Sequence, residues 1–84
     1  MGLTYYMARI SVEIKYLSGV EDPEALTIQK NLQLLGYGSI KKVRTSKTYE
    51  FEVSDDLSDA VSTVRKIAEQ MLANPVIQSY TIKE

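Results

Sequence analysis

Glu13, Glu50, Glu52, Asp55, Asp56 and Asp59 are the carboxylates that could pair as general acid and base, or hold Mg²⁺. Their spacing favours neither use. Asp55, Asp56 and Asp59 stand where a helix begins, and negative charge is favoured there by the helix dipole. The sequence has no cysteine and no histidine. Thiolate nucleophiles, disulfides and the commonest metal ligands are therefore excluded. No catalytic, cofactor-binding or metal-ligating residue is expected in this chain.

The basic residues make a second group. Lys41, Lys42, Arg44 and Lys47 cluster around Thr45-Ser46, a plausible hairpin turn without the Asn-Gly signal. Such a cluster can contact an anion or an acidic partner. It can equally be a solvated turn whose charges blunt an exposed edge. Lys47, Tyr49 and Phe51 echo the basic-aromatic pattern of RNA-binding strands. Glu50 and Glu52 at the intervening positions oppose that reading and favour core aromatics. Gly36-Tyr37-Gly38 and Ser18-Gly19 lack phosphate-loop spacing.

These residues need elements to position them. Ile10, Val12, Ile14 and Tyr16 alternate with Arg9, Ser11, Glu13 and Lys15, the period of a strand with one buried face. Asp22-Pro23-Glu24 starts a helix, with Asp22 as cap. Ala25, Ile28, Leu32 and Leu35 follow at helical spacing, and Gly36 suits the C-terminal cap. Ile40 to Val43 reads as an irregular strand, and Tyr49, Phe51 and Val53 as a regular one. Ser54-Asp55-Asp56 opens a second helix with the stripe Leu57, Ala60, Val61, Val64, Ile67, Ala68, Met71 and Leu72. Asn74-Pro75 stops it, and Val76 to Lys83 forms a last strand. The order β-α-β-β-α-β predicts an α+β domain: one antiparallel sheet with two helices on one face, a ferredoxin-like type of arrangement. Residues 1–84 read as one domain, with 1–8 as a loosely ordered extension.

Ten basic and 11 acidic side chains give a net charge of −1. That balance offers no general attraction to nucleic acid or to anionic membranes. No apolar run approaches the roughly 20 residues of a bilayer span, and the N-terminus lacks signal-peptide organisation. A cytoplasmic protein is expected. A domain of this length buries a modest core, so oligomerisation is a natural supplement. In the last strand, Val76 and Ile77 would point to opposite faces, one of them outward. They are candidate dimer contacts.

Three stretches carry a resemblance. "DPEALTIQKNLQLLGY" (Asp22 to Tyr37), "VRTSKTYEFEV" (Val43 to Val53) and "MLANPVIQSYTI" (Met71 to Ile82) are similar in order and spacing to the PurS family. That family is the small subunit of phosphoribosylformylglycinamidine synthase. The match runs from about Arg9 to Ile82. Ser46 stands where the family usually has Gly, and Ala25-Leu26 replaces a small or polar pair. The resemblance implies a non-catalytic subunit of purine biosynthesis, acting as a homodimer or higher oligomer. It would bridge a PurL-like synthetase subunit and a PurQ-like glutaminase subunit. ATP, Mg²⁺ and glutamine would be used by those partners. Arg44, Lys47, Lys41 and Lys42 become candidate partner contacts. The alternative is a small-molecule-sensing module of ACT type, which would bind an amino acid near Ser18-Gly19.

Overall fold

The computed structural model describes residues 7–54 and 56–84. The elements are β1 (Ala8–Tyr16), α1 (Pro23–Leu34), β2 (Ser46–Val53), α2 (Leu57–Ile67), a π-helical segment (Ala68–Leu72) and β3 (Gln78–Lys83). The sheet is antiparallel with order β2-β1-β3. The α+β class and antiparallel sheet are as expected. Among the described residues the sheet has three strands, because Ile40–Thr45 does not form one.

The expected hairpin at Thr45-Ser46 is also absent. A two-residue hairpin turn requires left-handed backbone, and no described non-glycine residue has positive φ. Thr45 is instead tied to Asp22, and the chain runs directly into β2. A third correction concerns the N-terminus: Ala8, assigned above to a loose extension, is buried and pairs with Val53. Residues 1–6 and Asp55 lie outside the described residues.

β1 is the central strand and its alternation decides the core. Ala8, Ile10, Val12 and Ile14 are buried on one face. Cross-strand partners share a face, so Val53, Phe51 and Tyr49 from β2 and Ile82 and Tyr80 from β3 join them. Ala60, Val64 and Ala68 close the core from above. Two alanines on that helical face let it approach the sheet closely. The other face of the sheet carries Arg9, Ser11, Glu13 and Lys15. Glu13 lies 3.3 Å from Lys15 and 3.7 Å from Lys83, and Arg9 lies 3.7 Å from Glu52. Each pair has at least one exposed partner, and such pairs add little stability.

Both helices start as the sequence predicts. Asp22 accepts from Ala25 N–H (3.0 Å), and Asp56 accepts from Asp59 N–H (2.9 Å). Gly36, at φ +91°, follows the end of α1. Tyr37 N–H bonds to Leu32 O at 2.9 Å and Gly36 N–H to Gln33 O at 3.1 Å, the Schellman pattern. Among the described residues, α2 and the π segment supply the helical side of the core cluster, and α1 supplies none of it. The molecule is therefore long and flat, 61 × 32 × 15 Å.

Candidate partner-contact surfaces

The basic cluster lies on a stretch without turn or bend from Ile40 to Thr45. Its two ends are fastened to α1. Gln33 Nε2 donates to Ile40 O at 3.2 Å. At the other end, Thr45 donates to Asp22 Oδ2 twice, from N–H (3.0 Å) and from Oγ1 (2.6 Å). Asp22 thus caps α1 with one oxygen and holds the approach to β2 with the other. The Thr45 hydroxyl, then the Ala25 N–H, keep its carboxyl below the ordinary value of 3.8.

The four predicted cations are all exposed and do not act alike. Lys41 Nζ donates to Gly38 O at 2.7 Å. Lys47 Nζ sits 5.0 Å from the centre of the Tyr49 ring, a cation-π distance. Lys42 and Arg44 have no acidic partner among the described residues. They border a cleft of about 600 Å³ between the β1–α1 turn and the 42–46 stretch. Ser18 and Gly19 line it too. Of its three carboxylates, Glu13, Glu21 and Asp22, Asp22 already has both oxygens occupied by α1 and Thr45.

A second surface was not singled out from the sequence. Leu34 and Leu35 are 85% and 72% exposed, and Ile28, Tyr37 and Ile40 are exposed beside them. Within α1 only Ala25 is buried. The signal was present: Leu32, Leu34 and Leu35 put apolar side chains on several sides of one helical turn, more than a single core face can absorb.

The third surface surrounds Asn74. The predicted dimer contacts Val76 and Ile77 lie in a turn, because β3 starts at Gln78. The turn is built by Asn74. Its carbonyl accepts from Ile77 N–H (3.1 Å) and Gln78 N–H (2.7 Å), and its Oδ1 accepts from Val76 N–H (3.1 Å). No described peptide bond is cis. Val76 is 79% exposed and Ile77 half-buried. Met71, expected in the core stripe, is 75% exposed. The π segment causes this. Ala73 N–H bonds back five residues to Ala68 O at 3.1 Å, so the wider turn carries Met71 off the α-helical stripe. Leu72 packs against the core instead. Tyr80 donates to Glu69 at 2.6 Å, fastening the π segment to β3. Among the described residues, no group of three or more potential metal ligands occurs, and no helix is long and apolar enough to cross a membrane.

A family model described as "PurS: Phosphoribosylformylglycinamidine (FGAM) synthase" matches residues 9–84. The chain belongs to the PurS family. It is 38% identical over 77 residues to the phosphoribosylformylglycinamidine synthase subunit PurS of Archaeoglobus fulgidus, covering 90% of this chain and 94% of that subunit. It resembles the crystal structure of PurS from Methanocaldococcus jannaschii with a TM-score of 0.78 at 35% identity, covering 93% and 94% of the two chains. It also resembles a chain in the PurLQS structure of Thermotoga maritima, with a TM-score of 0.82 at 30% identity over 94% and 98%. The PurS likeness therefore spans the sheet, both helices and the unpaired 40–45 stretch.

Proposed function

We propose that this chain is the non-catalytic assembly subunit of phosphoribosylformylglycinamidine synthase in purine biosynthesis. It bridges an ATP-dependent synthetase subunit and a glutaminase subunit. The observation that carries this is the near-complete likeness to a chain of the PurLQS assembly. The side-chain inventory agrees. Without cysteine, the chain cannot supply a thiol nucleophile for glutamine hydrolysis. ATP, Mg²⁺ and glutamine belong to the partner subunits, and the assembly works in the cytoplasm.

The chain acts as a homodimer or higher homo-oligomer, which would cover the apolar side chains of α1. Lys41, Lys42, Arg44 and Lys47 contact partners, and Val76 and Met71 offer a separate apolar patch. The sensing-module alternative has a cleft in the expected place. However, Asp22 is committed to internal bonds there, and the relatives are PurS subunits.

Reconstitution tests the assembly role. The chain is mixed with the synthetase and glutaminase subunits, nucleotide and glutamine, and glutamine-dependent turnover is assayed alongside co-elution. Stimulation and co-elution are expected. Arg44→Glu with Lys47→Glu lowers both, while circular dichroism stays that of the folded chain. Absence of stimulation by the unaltered chain would reject the assembly role. Unchanged turnover in the double variant would remove Arg44 and Lys47 from the contact.

A further inference from the structure

β3 lies at one edge of the sheet, and its only described neighbour is β1. The pairing of the two strands shows which backbone groups of β3 are free. Leu17 N–H donates to Ile77 O at 2.8 Å. Leu17 and Ile77 thus extend the β1–β3 register as a hydrogen-bonded pair, and such pairs alternate with non-bonded ones along an antiparallel ladder. Ser79, Thr81 and Lys83 therefore bond to β1, whereas Gln78, Tyr80 and Ile82 aim their N–H and C=O groups outward. Gln78 N–H is taken by Asn74 O at 2.7 Å. The backbone groups of Tyr80 and Ile82 have no outward partner among the described residues. Edge strands are commonly blunted by charge or proline. From Gln78 to Ile82 the sequence has neither. This edge is a template for strand addition.

Two features beside the edge define what adds. The first is a pocket of about 350 Å³ between β3 and the π segment, lined by Glu69, Ala73, Pro75, Gln78, Ser79 and Tyr80. A strand laid along the edge puts alternate side chains on this side of the sheet. Ala73, Pro75 and the Tyr80 ring suit the pocket to an apolar one. Its carboxylate, Glu69, is already bonded to the Tyr80 hydroxyl at 2.6 Å. The second feature is Arg65. Residues four apart on a helix share a face, so Arg65 stands one turn before Glu69. The Glu69 bond holds the Tyr80 hydroxyl above its ordinary value of 10.0, and the Arg65 side chain opposes that push. Arg65 has no acidic partner within salt-bridge distance among the described residues, whereas Lys83 lies 3.7 Å from Glu13. A carboxylate on the added segment, on the same side as the apolar side chain, complements Arg65.

A second copy of β3 does not meet these requirements. The strand Gln78–Lys83 holds no carboxylate for Arg65. With six residues it also falls well short of the roughly 800 Å² per partner of a stable interface between folded surfaces. A short edge with one pocket beside it suits a linear segment. We propose that the outer edge of β3 binds an extended, acidic segment of a different subunit, which adds as a strand and seats one apolar side chain in the pocket beside the π segment. The proposal rests on the assembly reading above and names a contact for it.

Amide exchange tests it. Exchange is read at single residues by mass spectrometry, in the chain alone and in its complex with the intact synthetase and glutaminase subunits, nucleotide and glutamine present. The outward amides of Tyr80 and Ile82 are expected to slow in the complex. Those of Ser79 and Thr81, already bonded to β1, should change little. Two variants separate backbone from side chain. Ile82→Pro removes one outward N–H and spares the β1 ladder, as proline on an edge strand does. Ile82→Ala loses the side chain and keeps the N–H. The proline variant should bind the other subunits roughly tenfold more weakly than the alanine variant, the scale of one hydrogen bond. Arg65→Glu, on the exposed helix surface, should also weaken binding by roughly tenfold. Exchange in the unaltered chain and Arg65→Glu leave the strand intact, so the test does not depend on the proline variant folding. If the complex forms and Tyr80 and Ile82 exchange as in the free chain, the β3 contact is rejected while the assembly role stands. Arg65→Glu binding as tightly as the unaltered chain rejects the acidic segment. Slowing that appears in the chain alone and grows with its concentration puts a second copy on the edge and overturns the proposal. If the unaltered chain joins neither subunit, the contact and the assembly role both fall.

Discussion

Asp22 is the residue through which the two ends of the 22–45 excursion meet. One carboxylate caps a helix and fixes a chain segment 23 positions away. Asn caps a helix about as well as Asp, but its amide nitrogen cannot accept from Thr45. Asp22→Asn therefore isolates the Thr45 bonds. The folded-state pKa of Asp22 is depressed, so its contribution is full above the unfolded value and is lost as pH falls through the folded value below 3.8. At about pH 7 the substitution should lower Tm by roughly 4–8 °C for each of the two Thr45 hydrogen bonds lost, the scale expected in a chain this size. As pH falls further below 3.8 the gap should narrow. Thermal melts across that pH series check both parts. The capping role was legible in Asp22-Pro23-Glu24, a local signal. The Thr45 contact was not, because nothing in a linear pattern brings those positions together.

Among the elements, those with local signals came out as read. β1 and β2 declared themselves by alternation, α1 by its cap and Gly36, and α2 by Asp56 and its stripe. The failures share a cause. Ile40 and Val43 resemble a strand locally, but pairing is a tertiary property, and no strand among the described residues reaches them. Val76 and Ile77 have strand propensity, yet Asn74 wins them for its turn by accepting three backbone N–H bonds. The π segment inserts a register change that a period of 3.6 does not anticipate. It makes a sharp prediction at positions 71 and 72. Met71→Ser should change unfolding free energy by no more than about 0.5 kcal/mol, as an exposed site does. Leu72→Ala should cost about 1–3 kcal/mol. Urea titration of the two variants decides between this register and an unbroken α-helix.

The whole molecule is two unlike parts. A compact chain of 84 residues has a radius of gyration of about 12 Å, and this one reaches 17.7 Å. The sheet with α2 forms a conventional packed body. α1 and the stretch to Thr45 form an arm with one buried helical residue, Ala25. Local stability follows buried contact. In the unassembled chain, amides of α1 should exchange with deuterium faster than those of α2, and protection of α1 should rise on assembly. Equal protection in the free chain would show that the arm needs no cover. The arm was the least legible feature, because the apolar spacing of α1 looks the same whether its cover comes from the same chain or another.

The place of β1 at the centre of the sheet also governs when the fold can form. β1 is the earliest described strand, and its two neighbours lie far along the chain. Its register with β3 joins Ser11 to Lys83. Neither edge of β1 can be satisfied by a close neighbour in sequence, so closure waits on two long loops. Loop-closure entropy precedes any reward from pairing, which slows folding. During synthesis, β1 leaves the ribosome with its apolar face bare and stays so until nearly all these residues have emerged. A chain built this way matures late, as a whole rather than in parts.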